Sequence, residues 1–129
     1  MKSEFDDPLT GKVIGVAIGV HRELGPGFLE SVYEEAVAIG LVDFGLPFQR
    51  QVTVPVLFRG QQVGEHRLDL IVASAVVVEL KAIKAFEDVH YAVVRSYLRA
   101  AGLKFGLLIN FAAPTLQVKR IGAEFRSTI

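Results

Sequence analysis

At 129 residues the chain is long enough for one domain with its own core and too short for two comfortable ones, and at 51% apolar and 22% charged residues it has the composition of a globular protein. Lysine and arginine (14) balance aspartate and glutamate (14), so the zero formal charge excludes a broad electrostatic footprint for nucleic acid and leaves only a local patch for such contact. No cysteine is present to form a disulfide, thiolate metal site or cysteine nucleophile, no stretch reaches the roughly 18 uninterrupted apolar residues of a membrane span, and the acidic start Met1-Lys2-Ser3-Glu4-Phe5-Asp6-Asp7 is unlike a signal peptide, so a cytoplasmic location is expected.

Residues 9–24 place Ile14, Ala17, Ile18, His21 and Leu24 at helical spacing, and Gly25-Pro26-Gly27 ends that helix with a glycine cap and a breaker. Gly11, Gly15 and Gly19 recur along it at every fourth position, each weakening the helix by about 1 kcal/mol relative to alanine. Charged residues follow at once, so these glycines are expected to serve close packing rather than a membrane dimer. Residues 29–44 form a second helical pattern through Leu29, Val32, Ala36, Ile39 and Val42, stopped by Gly45 with Pro47 beyond, and Glu30 lies in its first turn.

The period then changes to two. Residues 48–58 and 63–72 read as paired strands joined by a turn at Arg59-Gly60-Gln61-Gln62, and Pro55, which has no ladder donor, places the first at a sheet edge or a bulge. Residues 76–82 form a third strand, residues 88–101 a helix through Val89, Val93, Tyr97 and Ala100 with Gly102 as its stop, and residues 104–111 and 116–121 the last two strands. No repeat, low-complexity tract or long linker divides the chain, so a single domain over residues 1–129 is expected.

The third strand is apolar at Val76-Val77-Val78 and then carries Glu79-Leu80-Lys81. Ionisable groups are rarely buried unless paired or bound to metal, and the period of two puts Glu79 and Lys81 on one face. With Asp69 upstream, the pattern points to two carboxylates for a divalent metal and an ammonium beside them. Hard cations such as Mg²⁺ prefer oxygen ligands and keep several waters, so Asp69, Glu79 and the backbone carbonyl of Leu80 suffice as ligands, and Lys81 is the group to position a water or hold charge on phosphorus. Asp69 reaches that face only if the residue numbers of each cross-strand pair sum to an even number, which demands a three-residue connection such as Ser74-Ala75-Val76, or a bulge.

With Gly27-Phe28-Leu29-Glu30-Ser31-Val32-Tyr33, His21-Arg22-Glu23-Leu24-Gly25-Pro26-Gly27, Val78-Glu79-Leu80-Lys81-Ala82 and Gly106-Leu107-Leu108-Ile109-Asn110-Phe111, the chain resembles the GxxExxY protein family, a bacterial branch of the PD-(D/E)xK nuclease-like superfamily. The resemblance implies a restriction-endonuclease-like α/β core, a central mixed sheet of four to five strands flanked by helices. It implies Asp69, Glu79 and Lys81 at the superfamily's motif positions and Glu30 as the acid on the preceding helix. In one respect the chain departs from the pattern: related proteins carry a glutamine four residues before the tyrosine on the helix after the lysine strand, and here Tyr97 is preceded by Val93. Arg95 and Arg99, one turn apart, are candidates for phosphate contacts in its place.

Each assignment has an ordinary counterpart. Glu30 also suits a helix N-terminus, where the dipole stabilises an acid by about 0.3 to 1 kcal/mol. Tyr33 either lines the pocket or packs on the sheet, and packing is preferred. His21 reads as a structural, hydrogen-bonded histidine, and His66 and His90 as surface groups. Lys84, Lys119, Arg120, Arg95 and Arg99 form either a basic patch or scattered solvated charges. The expected function is a Mg²⁺-dependent nuclease-like protein, Mn²⁺ being able to substitute, acting on phosphodiester bonds of DNA before RNA. The competing expectation is a catalytically inactive binding or assembly module that keeps the fold, as a homodimer joined through exposed apolar surface.

Overall fold

In the computed structural model residues 8–123 are described; the acidic stretch 1–7, on which the signal-peptide argument rests, lies outside them. The elements are α1 (Pro8–Leu24), α2 (Glu30–Phe44), β1 (Phe48–Phe58), β2 (Gln61–Val72), β3 (Val76–Lys81), α3 (Asp88–Ala101), β4 (Phe105–Asn110) and β5 (Gln117–Gly122). The strands form one mixed sheet in the order β1-β2-β3-β4-β5, in which only β3 and β4 run parallel, joined by the α3 crossover. Among the described residues no helix is long and apolar enough to cross a membrane.

Side-chain alternation along β3 separates two cores. Val76, Val78 and Leu80 pack with Val13, Ala17, Tyr33, Val37 and Leu41 of α1 and α2, while Val77 packs with Val94 and Leu98 of α3. The two layers therefore cover opposite faces of the sheet, and β3 and β4 between them carry the near-continuous apolar runs of strands buried on both sides. Gly106 admits α3 closely, since a Cβ there would lie 2.9 Å from Val94 Cγ1. On the other face the close approach of α1 to α2 is made by Gly40, whose Cβ would lie 2.6 Å from Val16. The packing role expected of Gly11, Gly15 and Gly19 is thus corrected: a Cβ at any of them meets nothing within 4 Å.

β1 is an edge strand, and its register shifts between Val56 and Leu57, so Pro55 sits at an edge and beside an irregularity. The turn to β2 is shorter than the sequence pattern indicates. Phe58 pairs with Gln61, leaving only Arg59 and Gly60 between them, both with positive φ (52° and 78°), as a hairpin with right-handed twist requires. In the next hairpin Val72 pairs with Val76 across Ala73-Ser74-Ala75, a three-residue connection one position earlier than expected. The pair sums are even, and the register of Leu70↔Val78, continued by one step, sets Asp69 opposite Glu79.

One irregularity reshapes the edge hairpin. Phe48 packs with the α1/α2 core but Val52 and Val54 with the α3 core, and in β2 Leu70 packs with the former but Leu68 with the latter. Both strands change faces at the same level, between the pairs Arg50↔Leu70 and Val52↔Leu68, where Gln51 has φ 50°. Beyond this point β2 has left β3, whose pairing with it stops at Leu70↔Val78, and the sheet forks.

Candidate active site at the fork of the sheet

The fork leaves the end of β3 without a backbone partner from β2, and Asp69 fills the gap with its side chain. The Leu80 N–H donates to Asp69 Oδ2 at 2.9 Å, the satisfaction that a buried backbone donor demands. On the α3 face of the same strand, Glu79 is only 5% exposed. Its Oε2 lies 3.6 Å from Lys81 Nζ, and its Oε1 is buried with no hydrogen-bond partner. Burial first, and then the neighbouring Asp69, push the Glu79 carboxyl up to about 8, an effect that Lys81 only partly offsets. A half-buried Tyr97 faces the pair, its phenol raised to about 12 by burial and then by the charges of Glu79 and Asp69. Tyr97 also meets His66 edge-on with ring centroids 4.7 Å apart, and His66 Nε2 is 2.8 Å from Ser96 Oγ. His66 is therefore half-buried in a contact network with α3 and is not a free surface group.

On the other side of the fork lies a cleft of about 230 Å³ lined by Glu30, Ser31, Glu34, Gln51, Asp69 and Leu80. Glu30 begins α2 directly after Leu29, which cannot cap the helix through its side chain, and Glu30 Oε1 accepts a long hydrogen bond from the Ala82 N–H, 3.4 Å. This links α2 to the residue after Lys81. Among the described residues no group of three or more His, Cys, Asp and Glu side chains converges at metal-holding distance, so Glu30, Asp69 and Glu79 do not form one cluster. Asp69 is the acid common to the cleft and the pair.

The remaining candidates fall elsewhere. Tyr33 is fully buried: it stacks on Phe111 at 4.4 Å, donates its hydroxyl to Gly25 O at 2.7 Å and accepts from the Phe28 N–H at 3.2 Å. It ties the glycine-rich loop before α2 to the core and does not line the cleft. Arg99 is exposed beside Pro55, Val56, Leu57 and Ser96, in a groove of about 300 Å³ distinct from the carboxylates' cleft, and Arg95 is half-buried one turn before it. His21 is buried and bonded to Ala113 O at 2.9 Å, a structural role. His90 accepts from the Glu87 N–H at 2.8 Å in the capping box of α3, so it too is engaged.

Three contributors were not singled out by the sequence. Asn110, fully buried opposite Lys81 in the parallel register, accepts from the N–H groups of Ile83 (3.0 Å) and Ala112 (3.2 Å) and donates to Ile83 O and Gln117 Oε1 (both 2.9 Å). It fastens the loop that leaves the Lys81 end of β3. Glu34, one turn after Glu30, accepts from Arg50 Nη2 at 2.8 Å and from Gln51 Nε2 at 2.6 Å. Only the helical spacing of Glu30 and Glu34 was visible beforehand; Gln51 carried no local signal.

Residues 7–121 match the family model described as the PD-(D/E)XK nuclease superfamily. No curated protein sequence matches the chain. Among solved structures, the crystal structure of SSO0001 superposes with a TM-score of 0.58 at 14% identity, covering 74% of this chain and 50% of that one. The chain thus spans half the length of that protein, and the likeness is one of fold: the five-stranded mixed sheet flanked by helices is a restriction-endonuclease-like core.

Proposed function

The chain belongs to the PD-(D/E)XK nuclease superfamily, whose nucleases generally use divalent metals, and on that premise we propose that it is a Mg²⁺-dependent nuclease-like enzyme hydrolysing phosphodiester bonds, DNA before RNA. The GxxExxY branch and one functional domain over residues 1–129 are part of this reading. The observation that carries it is Glu79: a buried carboxyl with an unpartnered oxygen, beside a second acid and 3.6 Å from an ammonium. A buried polar atom without a partner is costly, and a bound ligand is what would supply the missing partner.

The donor set fits a hard divalent cation. Asp69 and Glu79 offer carboxylate oxygens, Leu80 its backbone carbonyl, and Glu30 a further acid reaching the ion directly or through water. When bound, the cation supplies Lewis acidity toward the phosphodiester and lowers the pKa of a water, with Mn²⁺ able to substitute for Mg²⁺. Lys81, half-buried on the face of Glu79, holds the attacking water by hydrogen bonding or stabilises negative charge as it builds on phosphorus. Asp69 has a double task, since the oxygen that holds the Leu80 N–H also fixes its carboxylate at the fork. Tyr97 faces the carboxylates and offers a phenol that stays protonated through neutral pH. Val93 places a methyl-bearing side chain one turn away, and Arg95 and Arg99 remain the candidate phosphate contacts of that helix.

Cleavage of labelled single-stranded and duplex DNA with Mg²⁺ tests this. Lys81→Ala is expected to lower kcat by a factor of about 100 or more, in the range of a lost group that acts on the transition state. Undiminished cleavage by Lys81→Ala would remove the lysine's assigned role. A second reading, a non-catalytic homodimer module, draws on the exposed Leu29 (77%) just before α2 and on Ile39 (63%), Val42 (65%) and Phe44 (56%) within it.

A further inference from the structure

Gln51 occupies the left-handed backbone region, φ 50°, inside a strand, where a non-glycine residue is strained. The contacts that hold it there are specific. Its Nε2 donates to Glu34 Oε1 at 2.6 Å, and Glu34 Oε2 is gripped by Arg50 through Nε at 3.2 Å and Nη2 at 2.8 Å. The side-chain amide is thereby fixed at the cleft, across the β1/β2 face switch from Asp69.

The chemistry of the lining explains what a neutral amide does there. Glu30, Glu34 and Asp69 are acids and Leu80 is apolar, so the uncharged hydrogen-bonding side chains of the cleft are those of Ser31 and Gln51. A phosphodiester entering a carboxylate-lined cleft is repelled by the acids, apart from any cation they hold, and gains hydrogen bonds from neutral donors. Glu34 takes one N–H of Gln51, which leaves the second N–H and the carbonyl oxygen for a ligand. On the face of β3 opposite Leu80, Glu79 Oε1 is buried and unpartnered next to Asp69, the acid that this cleft shares with Glu79.

Resting on the nuclease reading, we propose that Gln51 is a substrate-binding residue: its free amide N–H donates to a non-bridging phosphate oxygen of the nucleic-acid strand in the cleft. Glu34 and Arg50 act through it as positioning residues. The face switch of the edge hairpin then delivers a polar amide from β1 to the cleft that Asp69 shares with the carboxylate pair.

The test is steady-state cleavage of labelled single-stranded and duplex DNA in Mg²⁺ by the wild type, Gln51→Gly and Gln51→Asn. Glycine accepts the left-handed backbone without strain and asparagine tolerates it, so both variants are expected to fold. Gln51→Gly is expected to raise KM roughly tenfold with little change in kcat, the signature of a binding contact made equally in ground and transition states. Gln51→Asn, which keeps an amide on a shorter arm, is expected to recover part of that loss, and Glu34→Ala to shift KM in the same direction by less. A wild-type KM in Gln51→Gly, or a fall in kcat at unchanged KM, overturns the role of Gln51 while leaving the nuclease reading in place. A wild type that neither binds Mg²⁺ nor cleaves any of the probes overturns both.

Discussion

Glu79 carries its carboxyl group at 5% exposure, and burial together with Asp69 raises its pKa from 4.5 to about 8. Between those values the folded protein holds a proton that the unfolded chain has lost. Its contribution to stability is therefore complete below pH 4.5 and declines as pH rises toward about 8, the reverse of an ordinary salt-bridged acid. In EDTA, the urea midpoint of the wild type is expected to fall across this window, and Glu79→Gln, which stays neutral, to flatten the fall. Parallel pH profiles for the two proteins would show that Glu79 titrates like an exposed acid. The residue was legible in the sequence because an acid and a lysine at the end of a valine run violate burial rules. Gln51 was not, since its positive φ depends on strand pairing and on Glu34, both distant in the chain. For Tyr33 packing was the preferred reading, and the residue is buried with both partners of its hydroxyl on the backbone.

At the scale of elements, the end of β3 and the loop that leaves it are each held by a side chain bonding backbone groups. Asp69 serves Leu80 on the β2 side, and Asn110 at the end of β4 serves the loop at Ile83. Asn110 uses its full hydrogen-bonding capacity, two donors and two acceptor sites, so truncation leaves several buried groups unpaired. Asn110→Ala is expected to lower unfolding stability by about 3 kcal/mol, measured by urea denaturation. A loss below about 0.5 kcal/mol would mean that water replaces the amide without penalty. The helices and strands themselves were readable from period and punctuation, and the parity of the β2/β3 hairpin followed from requiring Asp69 to meet Glu79. The glycine row of α1 misled, because a repeat of small residues shows where close approach is allowed and not where a neighbour lies: the contact is made at Gly40.

In the whole molecule, two helical layers cover one sheet, and the fork between its edge hairpin and its centre opens beside Asp69. Ile39, Val42 and Phe44 of α2 are exposed, and the balanced charge of 14 basic against 14 acidic residues offers no broad attraction for a polyanion. On the proposed function, recognition of nucleic acid rests on the cleft and any cation in it, which makes metal binding the central claim. A cation bound only by the folded state stabilises it by about 2.7 kcal/mol at 100 times its Kd, so binding is also expected to raise the thermal midpoint. The most direct measurement is calorimetric titration of Mg²⁺, and separately Mn²⁺, into the wild type and the Asp69→Ala, Glu79→Gln double variant at neutral pH. The account predicts a saturable heat for the wild type, accompanied by proton release from Glu79, and none for the double variant; the absence of binding in the wild type, or equal binding in both, would contradict it.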